Sequence, residues 1–163
     1  LAMTDHLTQL PNRRHVYQTA QSYFEHAKTT AQPFSIISFD ADHFKLINDT
    51  HGHEVGDIAL QHMAKSAQSL MRDSQLVGRT GGEEFLILLP ATSLTAAMRI
   101  ATQLIERVSA ADYSSFPVDF SLTISAGVAT LRASDRLLSP LINRADNALY
   151  IAKNSGRNRV VSQ

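Results

Sequence analysis

The stretch Gln75-Leu-Val-Gly-Arg79-Thr-Gly81-Gly82-Glu83-Glu84-Phe85-Leu-Ile-Leu-Leu89 decides the fold. Its two apolar runs, Gln75 to Arg79 and Phe85 to Leu89, are separated by Thr80-Gly81-Gly82-Glu83, the pattern of a β-hairpin. The second run is apolar throughout, as suits a strand covered on both faces in the middle of a sheet. Adjacent glycines permit positive φ and let another group come close to the backbone. Glu83 and Glu84 follow at once, and two carboxylates on one tight turn repel each other. An isolated turn of this kind is ordinarily a solvated surface feature. Here the apolar strand behind it sets the acids at the rim of a packed sheet, where a cation would relieve their repulsion.

Upstream, Phe34-Ser-Ile-Ile-Ser-Phe39 reads as a short buried strand leading to Asp40. A helical region runs from about Asp42 to Met71, broken near Thr50-His51-Gly52. Before the strand, Val16, Tyr17, Ala20, Tyr23, Phe24 and Ala27 recur at helical spacing, and Pro33 closes that stretch. Downstream, Leu94, Ala97, Ala101, Leu104, Ile105 and Val108 stripe another helix, and Leu122, Ile124, Ala126 and Val128 alternate as a strand. Leu138 to Lys153 is a last amphipathic helix, stopped at Gly156, before a short strand at Arg159 to Val161. From Phe34 the order is strand, helices, hairpin, helix, strand. That order predicts an α/β (α+β sandwich) fold with a ferredoxin-like palm, a mostly antiparallel sheet of about five strands flanked by helices. Right-handed crossovers put the first strand beside the hairpin, which brings Asp40 close to the Gly-Gly turn.

The 163 residues show no repeat, low-complexity tract or linker, so residues 1–163 read as a single domain. Fifteen basic residues balance fifteen acidic ones. A net charge of zero gives no global attraction to nucleic acid or an anionic membrane, so any polyanionic ligand needs a local site. There is no cysteine, which removes disulfides and thiolate metal sites. No apolar run is long enough to span a bilayer, and no signal-peptide pattern is present. Leu1 is not an initiator. The expectation is therefore a cytoplasmic domain forming the C-terminal part of a longer, sensor-regulated protein, whose other parts could include a membrane anchor.

Asp42 reads as the cap of the helix after the first strand, whereas Asp40 has no such local role. Asp40, Glu83 and a backbone carbonyl are hard oxygen ligands suited to Mg²⁺ with bound phosphates. Two such ions about 3.5–4 Å apart can activate a hydroxyl and stabilise a leaving group. His51 and His53 have zinc-like spacing but lack a third ligand.

Several segments together resemble the GGDEF family of diguanylate cyclases, in its Glu-Glu form. Arg79-Thr-Gly-Gly-Glu-Glu-Phe85 is similar to the family signature, and Asp5-His-Leu-Thr-Gln-Leu-Pro-Asn-Arg-Arg14 to its opening motif. Asp40-Ala-Asp-His-Phe-Lys-Leu-Ile-Asn-Asp49 and His51-Gly-His-Glu-Val-Gly-Asp57 resemble its first strand and helices. Ala145-Asp-Asn-Ala-Leu-Tyr150 and Ala152-Lys-Asn-Ser-Gly-Arg-Asn-Arg-Val160 resemble its closing motifs.

The resemblance implies a nucleotidyl cyclase-like fold that condenses two GTP into cyclic di-GMP and two pyrophosphates, one GTP from each of two facing copies. It implies that Asp40, Glu83 and the main-chain carbonyl of Ala41 bind two Mg²⁺ ions, for which Mn²⁺ can substitute. Glu84 is implied as a further ligand or as the base for the 3′-hydroxyl, and the two roles stay open. Asn48 and Asp57 correspond to the guanine readers; a carboxylate can accept from guanine N1–H and the exocyclic amine. Gly81 and Gly82 approach the substrate, Lys153 and Arg157 hold the terminal phosphates, and Lys45 assists. The implied partners are GTP, a second copy of the domain and an upstream sensory or dimerisation region. A catalytically silent GTP-binding module is the alternative reading. The family's product-inhibition motif, Arg-x-x-Asp, appears here as Arg72-Asp-Ser-Gln75, with an amide in place of the acid. Feedback inhibition is therefore expected to be weak or absent.

Overall fold

The computed structural model describes residues 2–163; the expectation built on Leu1 lies outside them. The elements in order are α1 (Arg13–Thr30), β1 (Phe34–Ala41), α2 (Phe44–His51), α3 (His53–Gln68), β2 (Leu76–Arg79), β3 (Glu84–Pro90), α4 (Leu94–Ser109), β4 (Ile124–Thr130), α5 (Leu138–Asn154) and β5 (Val160–Ser162). Local sequence explains their boundaries. Asn12 caps α1 by accepting from the His15 N–H at 3.1 Å, and Ser93 caps α4 by accepting from the Ala96 N–H. Gly52, at φ 88°, separates α2 from α3 where turn chemistry predicts a break.

The five strands form one sheet in the order β2-β3-β1-β4-β5. Three of its four ladders are antiparallel, and β4–β5 alone is parallel. Every residue of β1 is buried, as the central position requires. On one face Ile37, Phe39, Ile87 and Leu89 pack against α3 and α4. On the other, Ile36, Leu86, Leu88 and Ala129 pack against α1 and α5. Phe39 and Phe85 are cross-strand partners with rings stacked 5.0 Å apart at 10°, and each fully buried ring contributes roughly 2 kcal/mol. Gly127 of β4 lets α5 lie directly on the sheet. A Cβ there would overlap the backbone at Ala145, Ala148 and Leu149.

Two expectations change. Asp42 does not cap α2: the cap position is His43, at φ 55°, with no side-chain cap bond. Nor do Gly81 and Gly82 adopt positive φ, which among the glycines is found at Gly52 and Gly156. What Gly81 supplies is space, since a Cβ would lie 2.5 Å from Glu84 Oε2. The segment between α4 and β4, with no periodic pattern of its own, folds its Tyr113, Phe116 and Phe120 rings onto one another, and sets Tyr113 and Phe116 against His62 of α3.

Candidate active site

Asp40 lies at the end of β1, with Glu84 of β3 as its cross-strand partner on one side and Ser125, just inside β4, on the other. The hairpin and the first strand, more than forty residues apart in sequence, thus meet as expected. Burial raises the Asp40 carboxyl to about 6; Lys153 opposes the shift, while Glu83 and Asp42 add to it. Glu83 is also raised, first by burial, with Lys153 opposing and Glu84 reinforcing.

Lys153, in the last turn of α5, reaches across to this cluster. Its Nζ donates to the Ala41 carbonyl at 3.2 Å and stands 2.5 Å from Asp40 Oδ1. That second approach is an ion pair, and it is what compensates the charge of the buried Oδ1. An ammonium therefore rests on the two oxygens expected to hold a metal ion. Among the described residues no three His, Cys, Asp or Glu side chains converge on one point. The set is instead one buried carboxylate, a neighbouring acid and a main-chain carbonyl. Mg²⁺ fits it, because Mg²⁺ is held by one or two carboxylates and completes its shell with water and substrate phosphates.

The two hairpin acids face different spaces. Glu83 lines a shallow pocket of about 420 Å³ with Lys45, Leu46, Lys153 and Arg157. Glu84 lines a separate groove of about 320 Å³ with Arg13, Asn143 and Asp146, and Ser38 donates to Asp146 there at 2.8 Å. Lys45 pairs with Asp49 at 2.9 Å on an exposed helix face, an interaction of small energy. Asn48, on α2, leaves its Oδ1 buried without a partner, a polar atom that awaits a ligand or water. It fits only because Gly56 on α3 lacks a Cβ, which would overlap that oxygen. Asp57 follows Gly56 and is exposed. His51 packs edge-on against Phe120 at 5.8 Å, and among the described residues it joins no cluster of three metal-binding side chains.

Three features escaped sequence reasoning. Arg79 ties the opening segment to the turn, pairing with Asp5 at 3.2 Å and donating through Nε to the carbonyls of Gly81 and Gly82. Asp42 is a buried acceptor whose partners are distant in sequence. Arg72 and Gln75 share a groove of about 800 Å³ with Arg99 and Arg107; there Gln75 Oε1 accepts from the Arg72 N–H at 3.0 Å. The position of an arginine near a motif is legible, but which α4 residues join it depends on the packing of α4 against α3.

The family model described as "Diguanylate cyclase, GGDEF domain" matches residues 2–159. The chain belongs to this family. The GGDEF domain is 43% identical to a diguanylate cyclase of Vibrio cholerae over 98% of this chain and 49% of that protein. It is 40% identical to the response regulator PleD of Caulobacter vibrioides, over 100% of this chain and 36% of that protein. It thus spans about half or less of the curated relatives' length. Among solved structures, the active GGEEF domain of a Vibrio cholerae diguanylate cyclase superposes with a TM-score of 0.89 at 40% identity, covering 94% of this chain and 97% of that one. The diguanylate cyclase SiaD of Pseudomonas aeruginosa, solved with its activator SiaC, superposes at 0.93 with 37% identity, over 99% and 62% of the chains. Among the described residues no helix of the GGDEF domain is long and apolar enough to cross a membrane.

Proposed function

We propose that this domain condenses two GTP into cyclic di-GMP, with each of two facing copies supplying one nucleotide. The observation that carries the reading is the convergence of Asp40, the Ala41 carbonyl and Lys153 at the end of the central strand, beside the two hairpin acids. GGDEF diguanylate cyclases are metal-dependent; here Asp40, Ala41 O and Glu83 would hold two Mg²⁺ ions, or Mn²⁺ in their place. When bound, such ions neutralise the triphosphate and favour attack on its α-phosphorus.

The chain's own residues do the rest. Asn48 and Asp57 select guanine: the unpartnered Asn48 Oδ1 offers an acceptor, and Asp57 offers a carboxylate to the N1–H and amine edge. Lys153 and Arg157 hold the β- and γ-phosphates, with Lys45 at the pocket's lip. Gly82, where a Cβ would meet nothing within 4 Å, leaves the turn open to the nucleotide, and Gly81 makes room for the Glu84 carboxylate beside it. Glu84, in its separate groove, is suited to take the proton of the incoming 3′-hydroxyl rather than to bind phosphate. In each of two steps a 3′-oxygen bonds to an α-phosphorus, the α–β bridging bond breaks and pyrophosphate leaves. Positioning and charge neutralisation supply most of the rate.

Mass spectrometry of products after incubation with GTP and Mg²⁺ tests this. Cyclic di-GMP and pyrophosphate are expected; their absence, even when two copies are joined by a fused dimeriser, would sink the proposal. Gln75 points to weak product inhibition at the Arg72 groove. A micromolar inhibition by cyclic di-GMP that disappears in Arg72→Ala would show the opposite.

A further inference from the structure

Asp42 is buried, and its carboxylate accepts three hydrogen bonds: from Ser125 Oγ at 2.6 Å, Thr123 Oγ1 at 2.7 Å and the backbone N–H of Asn158 at 3.0 Å. Thr123 lies just before β4, Ser125 at its start, and Asn158 in the turn after α5. This turn carries Arg157. Gly156, Arg157 and Asn158 have φ values of 129°, 61° and 47°, three consecutive residues in the left-handed region, two of them with side chains. Such a run persists only where surrounding contacts hold it. The Arg157 N–H donates to Ala152 O at 3.0 Å, and the next N–H is the one Asp42 accepts. Arg157 Nε is buried and has no hydrogen-bond partner, so that nitrogen does nothing to anchor the side chain. Its backbone has to aim it.

We infer that Asp42 is a positioning residue, which holds the Gly156–Asn158 turn in its left-handed conformation and so aims Arg157 into the pocket shared with Lys153 and Glu83. The inference rests on the proposed phosphate-binding role of Arg157. A purely structural anchor would affect stability, or all ligands alike; a positioning residue affects the phosphate end of the nucleotide through Arg157.

Binding of pyrophosphate and of GMP to the full 163-residue chain, each with Mg²⁺ present, separates these cases by calorimetry. Asp42→Asn keeps the shape but offers one acceptor oxygen to three donors. It is expected to weaken pyrophosphate roughly tenfold while leaving GMP unchanged. In an Arg157→Ala background the same substitution should have no further effect. Asn158→Gly, which keeps the N–H and eases the positive φ, should bind both ligands normally. Equal weakening of pyrophosphate and GMP, or full additivity with Arg157→Ala, overturns the inference. Unchanged pyrophosphate binding in Arg157→Ala instead overturns the phosphate role on which it rests. If Asp42→Asn does not fold, Gly156→Ala distorts the same turn from the surface and is read in the same way.

Discussion

Asp40 sits at the end of a fully buried strand, and the burial that positions it also resists its ionisation. Between the ordinary value of 3.8 and the folded value of about 6, the unfolded chain releases a proton that the folded one retains. Stability present below pH 3.8 is therefore lost as pH rises through about 6. Asp40→Asn removes that loss. Urea denaturation of the metal-free variant should show a gain on the order of 2–3 kcal/mol at pH 7.5, absent near pH 3.5, alongside loss of condensation. Lys153 poses the complementary case, because its ammonium occupies the oxygens proposed for metal. In Lys153→Met, electron paramagnetic resonance should find tighter Mn²⁺ binding without nucleotide and weaker binding of GTP, since one substitution removes both a competing charge and a phosphate contact. Unchanged Mn²⁺ affinity would show that the ammonium is no competitor.

At the scale of elements, the close contact of α5 with β4 turns on Gly127. Gly127→Ala forces helix backbone away from the sheet, and a loss of about 3 kcal/mol or more is expected from thermal denaturation. Nothing in the alternation of Leu122, Ile124, Ala126 and Val128 marks Gly127 as the point of approach, because the clash lies with a helix nearly twenty residues on. By contrast the hairpin, the break at Gly52 and the course of α5 were legible, each written in neighbouring residues. The same distinction runs through the site. Asp40 and Glu83, the proposed ligands, stand out by local pattern, and their nearness follows from strand order. Asp42 reads as a helix cap from its immediate neighbours alone, whereas its donors are Thr123 just before β4, Ser125 within it and Asn158 in the turn after α5. The rings of Tyr113, Phe116 and Phe120 carry no local signal for a related reason: their partners, His62 for the first two and His51 for the third, belong to helices far upstream.

For the molecule as a whole, the proposed reaction cannot be completed by one copy, since each nucleotide is attacked by the other's hydroxyl. Specific activity should rise with protein concentration and become independent of it once a fused dimeriser joins two copies. A flat profile in the unfused chain would point to preformed pairs. The stacked Phe39 and Phe85 rings bear on a further property of the site. They lie one residue below Asp40 and Glu84 on the opposite face of the same strand pair, so the spacing at that end of the sheet is held by packed core. The acids are mounted on a ruler and not on a hinge. The fixed span runs from Asp40, proposed for metal, to Glu84, proposed to take the 3′-hydroxyl proton, so the distance between ion and base would be set by core packing and not by the turn.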